Sequence, residues 1–250
     1  MSRSHAEQWT IGHRERPDPA LAAEFATLPT TQIADAGGPV GVVGPGIARI
    51  AGGREFCGVA VTLWTKPGDI LFILKSPDLI EPGDVLVIDG GGRVDAALIG
   101  DIVGGAIQRH GAVGLVVDGA VRDIEGLDEL GLPTFARGTH PAIGSNEGPG
   151  ALNVSIQCGG VVVEPGDIVR ADRSGLVVIP RAHAAEVLRL ARAVAAREAD
   201  WLRQLATGRS LPEVLGIDAR IAASRPADPD PDPDRAADPS PGPDPDVTPT

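Results

Sequence analysis

Two apolar, β-branched runs separated by a helical pattern fix what this chain can fold into. VLVID (85–89) reads as one strand and VGLVV (113–117) as the next. Between them Ile102, Val103, Ala106 and Ile107 share one face of a short helix, and Gly111 is placed to end it. In a strand–helix–strand unit, ligands favour the carboxyl ends of strands and the amino ends of helices. Asp101 stands at the helix start, while Asp118, Arg122 and Asp123 follow the second strand. Two carboxylates and a guanidinium are therefore expected to converge on one cleft, with the rest of the chain as its scaffold.

That scaffold is read from turn signals and periodicity. REFCGVAVTLW (54–64) and LPTFA (132–136) read as strands, and ALNVSIQ, GGVVVEPGDIV and GLVVIP as three more. GDILFILKS (68–76) fits either a strand or a short helix. Helical pattern covers 19–25, a stretch from Thr30 with Thr as N-cap, 124–130, and an Ala-rich stretch from Arg181 to about Leu205. The segments 37–46 and 138–150 are glycine-rich loops. Pro82-Gly83-Asp84 and Pro165-Gly166-Asp167, each preceded by Glu, repeat one turn chemistry without implying a duplicated domain. Strands fill the middle and helices flank it, so the class is α/β with more than one β layer.

Composition narrows the function. The net charge of −12 argues against nucleic acid or anionic membrane as a partner, and half of it is local: residues 226–250 carry seven Asp against one Arg. This Asp/Pro-rich tail, from 223 to 250, is expected to be disordered, because it has too little apolar surface to offset its ordering entropy. Residues 1–18 read as a loose arm. Cys57 and Cys158 lie in apolar runs and are expected as buried free thiols. No apolar run approaches the ~20 residues needed to span a bilayer, and the first residues lack a signal-peptide core, so a cytoplasmic protein is expected. The histidines show no paired ligand spacing, and only Lys66 and Lys75 are available for imine chemistry. Asp89-Gly90-Gly91-Gly92 lacks the third glycine of a nucleotide loop and reads as a Gly-rich hairpin.

Asp101, Arg122 and Asp123 suit a small oxyanion beside a hard divalent cation. Carboxylates suit Mg²⁺ or Mn²⁺, which keep most of their waters. Arg offers a planar fork to a carboxylate, and the N–H groups of Ile102 and Val103 at the helix start could hold the same anion. On spacing alone a plainer reading stands beside this one, in which Arg122 and Asp123 make surface ion pairs and Asp101 is an N-cap.

PGDVLVIDG, Gly100-Asp101, a G-x-x-G-x-V-x-D-G-x-x-R-D run at 111–123 and LPTFARGTHP together resemble the RraA-like family. That family includes 4-hydroxy-4-methyl-2-oxoglutarate/4-carboxy-4-hydroxy-2-oxoadipate aldolases and ribonuclease E activity regulators. Its motif is an acidic residue, twenty intervening residues, then Arg-Asp; here residues 102 to 121 separate Asp101 from Arg122-Asp123. The resemblance spans roughly residues 25–215, within an expected domain at 19–222. It implies a layered β/β/α fold of the swivelling-domain type, and a homotrimer or dimer of trimers with the active site at the subunit interface. It implies that Asp123 binds Mg²⁺ or Mn²⁺ and Asp101 does so through water. Arg122 would bind the pyruvyl part of a small 2-oxo acid, with Gly100, Ile102 and Val103 holding its carboxylate, and Glu198 would be an acid supplied by the neighbouring subunit. The implied activity is metal-dependent cleavage of 4-hydroxy-2-oxo acids to pyruvate, with oxaloacetate decarboxylation through the same enolate. The rival implication is a non-catalytic trimeric regulator that binds a protein such as an RNase.

Overall fold

The computed structural model describes residues 7–224. In chain order it contains α1 (Pro19–Ala26), α2 (Thr30–Asp35), β1 (Gly41–Val42), β2 (Ala48–Ala51), β3 (Phe56–Thr65), α3 (Leu71–Lys75) and β4 (Asp84–Asp89). Next come β5 (Ala97–Ile99), α4 (Asp101–Arg109), β6 (Gly114–Val121), α5 (Ile124–Leu130) and β7 (Thr134–Thr139). The chain continues through β8 (Gly150–Leu152), β9 (Ile156–Cys158), β10 (Val161–Val163), β11 (Ile168–Asp172) and β12 (Gly175–Ile179). It then turns helical in α6 (Ala184–Ala206), α7 (Leu211–Leu215) and α8 (Ile217–Ser224). Residues up to Glu198 form one compact unit, and those from Ala199 a second. The expected Asp/Pro tail lies outside the described residues, except that 223 and 224 close α8. None of the helices described is long and apolar enough to cross a membrane.

One large sheet runs in the order β1-β12-β11-β3-β4-β6-β7-β2, with β5 added beside β6 and β8 beside β3. Its centre, β3-β4-β6-β7, is parallel, and its margins are antiparallel. Parallel strands need both faces covered, and alternation along β4 shows how this is met. Leu86 and Ile88 enter a core with Ile107 of α4 and Leu127 of α5, whereas Val85 and Val87 enter a second core with Ile156 and Val163 of the β9–β10 hairpin. The centre is thus a β/β/α sandwich, as the resemblance implies. Helices α1 and α2 and the first part of α6 cover the β11–β12 end through Phe25, Ile33, Val187 and Ala191.

Several expectations change. The stretch that could be strand or helix is α3, and the three late strand candidates resolve into five strands, β8 to β12. Thr30 is not an N-cap: Pro29 holds that position, and the helix start is tied down from afar. Thr30 N–H and Oγ1 donate to the Asp172 carboxylate at 2.8 and 2.7 Å. The described part of the N-terminal arm is not loose. Gly12 and Thr10 bond to Leu152, and buried Arg14 makes two 2.6 Å hydrogen bonds to fully buried Asp84. The cysteines lack a disulfide, and burial pushes the Cys57 thiol up to about 12 and raises Cys158 as well.

The repeated turn occurs three times. Gly68, Gly83 and Gly166 have φ of 83°, 86° and 91°, the left-handed value that a Pro-Gly type II turn needs. In each turn the Asp N–H donates to the carbonyl three residues back: Asp69 to Lys66, Asp84 to Glu81, and Asp167 to Glu164. Asp84 and Asp167 also accept from the N–H of that same residue, at 2.7 and 2.9 Å. Asp69 departs from this pattern, and its carboxylate is used elsewhere.

Candidate functional site

Strands β5 and β6 are parallel, so their carboxyl ends lie side by side and each feeds a helix. The chain leaves β5 through Gly100 into α4 and leaves β6 through Arg122-Asp123 into α5. Twenty residues of helix and returning strand are what bring an acid at 101 back beside Arg-Asp at 122–123. Arg122 N–H donates to Ile99 O at 3.0 Å and fixes that register. Gly100 caps α4 without a side chain. The first helical bond found there runs from Gly104 N–H to Gly100 O, at 2.9 Å. The N–H groups of Ile102 and Val103 therefore precede the hydrogen-bonded ladder, at the positive end of the helix dipole.

Asp123 takes φ 53° and ψ 50°, left-handed for a non-glycine residue. This places its carboxylate on Gly100: a Cβ added there would stand 2.2 Å from Asp123 Oδ2. Arg122 Nε lies 3.3 Å from the same oxygen, with the two side chains 32% and 41% exposed. Both line a cavity of ≈ 120 Å³ with Gly100, Ile102, Val103 and the apolar side chains of Ile70, Leu74, Leu98 and Ile143. Ile102 is 78% exposed beside it. Larger hollows of ≈ 700 and ≈ 480 Å³ occur elsewhere, but neither is lined by Asp101, Arg122 or Asp123.

Asp101 opens on the other side of Ile102. It lines a groove of ≈ 540 Å³ between α4 and α5, with Arg109, Gly126 and Glu129. Glu198 is not brought to either hollow by its own chain; it accepts a 2.8 Å hydrogen bond from Gln32 Nε2 of α2. Asp118 does not follow the strand but lies inside β6. Its neighbour Val117 faces the helical core, so Asp118 faces the β9–β10 hairpin, where it is 2% exposed. There it accepts from Gly159 N–H at 2.7 Å and from the Arg137 guanidinium. It belongs to the scaffold of the other face.

Asp69 is a member of the neighbourhood that sequence reasoning missed. Its carboxylate accepts from Leu71 N–H at 2.9 Å, Ser145 Oγ at 2.6 Å and Glu147 N–H at 2.8 Å. It thereby pins the loop carrying Ile143 against the start of α3. Burial works to raise its pKa, but these hydrogen bonds outweigh burial and hold the carboxyl below its ordinary value. The signal was available: Pro67-Gly68-Asp69 matches the two turns already recognised.

No group of three or more His, Cys, Asp or Glu suited to a metal occurs among the described residues. The donor set near the cavity, one part-exposed carboxylate with a second acid one groove away, fits a hard cation that keeps most of its waters and does not fit a protein cage.

The RraA-like family, described as Aldolase/RraA, matches residues 30–178. A protein of Halalkalibacterium halodurans, provisionally named a 4-hydroxy-4-methyl-2-oxoglutarate aldolase, is 40% identical over 169 residues, 68% of this chain and 80% of the relative. A crystal structure of an uncharacterized protein from Pseudomonas syringae superposes with a TM-score of 0.69 at 30% identity, covering 80% of this chain and 98% of the other. The RNA-processing inhibitor RraA from Thermus thermophilis gives a TM-score of 0.57 at 32% identity, over 61% of this chain and 92% of that one.

Proposed function

The chain belongs to the RraA-like family, and from that premise we propose that it is a cytoplasmic carbon–carbon lyase. It cleaves 4-hydroxy-2-oxo acids such as 4-hydroxy-4-methyl-2-oxoglutarate to pyruvate, decarboxylates oxaloacetate, and works as a homotrimer or a dimer of trimers. The observation that carries this reading is the meeting of Arg122, Asp123 and the start of α4, which no side chain caps, around one cavity.

Asp123, with Asp101 acting through water, would hold Mg²⁺ or Mn²⁺, which supplies Lewis acidity toward the 2-oxo group. The N–H groups of Ile102 and Val103 hold the substrate carboxylate, and the Arg122 fork orients the pyruvyl part. A base removes the proton of the C4 hydroxyl; Asp101, aided by Glu198 of a neighbouring subunit, is assigned that role through water. The C3–C4 bond breaks, its electrons pass to the C2 carbonyl, and C4 leaves as a carbonyl. Arg122 neutralises the enolate oxygen as charge builds there, and protonation at C3 gives pyruvate. Oxaloacetate reaches the same enolate by loss of CO₂, without the hydroxyl proton step.

The test is pyruvate release from both substrates, with Mg²⁺, with Mn²⁺ and with chelator. Release that needs metal and falls by about 100-fold or more in Arg122→Ala supports the lyase. Absence of release from a folded oligomer favours the second reading, a non-catalytic regulator that binds a protein such as an RNase. The likeness to the RNA-processing inhibitor supports that alternative.

A further inference from the structure

Glycine is a poor choice inside a helix, because it loses more backbone freedom on ordering than any other residue. Gly126 nevertheless sits in the first turn of α5, with no positive φ to require it. What a side chain there would meet supplies the reason. The three nearest atoms to a Cβ built on Gly126 all belong to Asp101: Cβ at 2.7 Å, Oδ2 at 2.7 Å and Cγ at 3.1 Å. Real Cβ atoms do not approach that closely, so any larger residue would push the Asp101 side chain out of place. Gly104, one turn into α4, admits Leu127 in the same way, with Cδ2 2.7 Å from its absent Cβ. That second contact is apolar packing between the same two helices, whereas the group that meets Gly126 is an acid of the candidate site. Gly126 makes room for the Asp101 side chain from its Cβ to its carboxylate oxygen, as Gly100 makes room for the carboxylate of Asp123.

We propose that Gly126 is a positioning residue, a backbone seat that holds the Asp101 carboxylate at the mouth of the α4–α5 groove. The two acids of the site are then held by the same device, each resting on a glycine of the other's helix start: Asp123 on Gly100 before α4, and Asp101 on Gly126 in the first turn of α5. This rests on reading Asp101 as a member of the site, and it adds that α5 is part of the machinery although no α5 side chain reaches the cavity with Arg122.

A four-way comparison tests it: the unsubstituted protein, Gly126→Ala, Asp101→Gly, and the two together. The expected result is that Gly126→Ala lowers kcat for pyruvate release from 4-hydroxy-4-methyl-2-oxoglutarate by roughly 100-fold, with KM within about two-fold. In the Asp101→Gly background it causes no further loss. Melting temperature is read in parallel and needs no substrate. Gly126→Ala should lower it when Asp101 is present and raise it when position 101 is glycine, because alanine is the better helix former once the clash is gone. Full activity in Gly126→Ala overturns the proposal, and so does an equal kinetic loss in both backgrounds, which would mean that α5 packing alone was disturbed. If the unsubstituted protein releases no pyruvate, the lyase reading fails, while the sign change in melting temperature still decides whether Gly126 seats Asp101; a change of the same sign in both backgrounds overturns the seat.

Discussion

Asp123 holds a left-handed backbone that costs a non-glycine residue roughly 1–2 kcal/mol, and Asp is among the few types that enter it at all. A strained carboxylate at a cavity is worth keeping only if its charge is used. Asp123→Gly should therefore raise unfolding stability by about 1 kcal/mol while abolishing pyruvate release. Asp123→Asn should keep the stability and lose the activity, since Asn tolerates the same backbone without the charge. Denaturant titration beside the pyruvate assay checks both; an active Asp123→Asn would remove the metal-binding role. At this scale the spacing of Asp101 and Arg122-Asp123 was legible, because parallel strands with one helix between them return the chain to the same edge. The fate of Asp118 was not. A carboxylate after four apolar residues looks like the end of a strand, and periodicity cannot reveal that Arg137 would meet it in the interior.

Helices α4 and α5 and the central strands follow directly from apolar periodicity, and their boundaries fall close to the expected ones. The departures occur where a remote group overrides the local signal: Asp172 ties down α2 in place of a Thr cap, and Arg14 turns an apparent arm into a strap. The loop at 138–150 is a third case, since glycine and polar residues say nothing about what pins it. Asp69 does so, and the consequence is pH-dependent. Its folded pKa lies below the ordinary 3.8, so its contribution is complete above that value and fades as pH falls through the lowered one. Asp69→Asn should cost about 1–2 kcal/mol at pH 7, and the difference from the unsubstituted protein should shrink as pH is lowered past 4 toward the acid limit. Denaturant midpoints over that series measure it; a difference independent of pH would show that the hydrogen bonds do not need the charge.

At the scale of the whole molecule, the strap and the proposed subunit arrangement make separate demands. Arg14 and Asp84 are buried against each other, but Arg16 also donates to Asp84 at 2.7 Å. Arg14→Ala therefore leaves the carboxylate one of its two guanidinium partners and should cost about 1–3 kcal/mol in the denaturant midpoint. Glu198 sits with Gln32 in its own chain, so its assigned role needs a neighbour. Mixed oligomers of Arg122→Ala and Glu198→Ala protomers should regain activity that neither has alone, because some interfaces then carry both native residues; absence of recovery would remove Glu198 from the site. The sheet order has one more consequence, for how the molecule is made. From β4 to β7 the parallel centre is laid down by consecutive strands and helices, so the half that carries Arg122 and Asp123 can assemble as it emerges from the ribosome. The other flank of β3 waits, because Val59 pairs with Ile168 and Gly41 with Val178. Until the last strands are synthesised, a ten-residue apolar strand presents an open edge, and that interval is when a nascent chain of this topology most needs a chaperone.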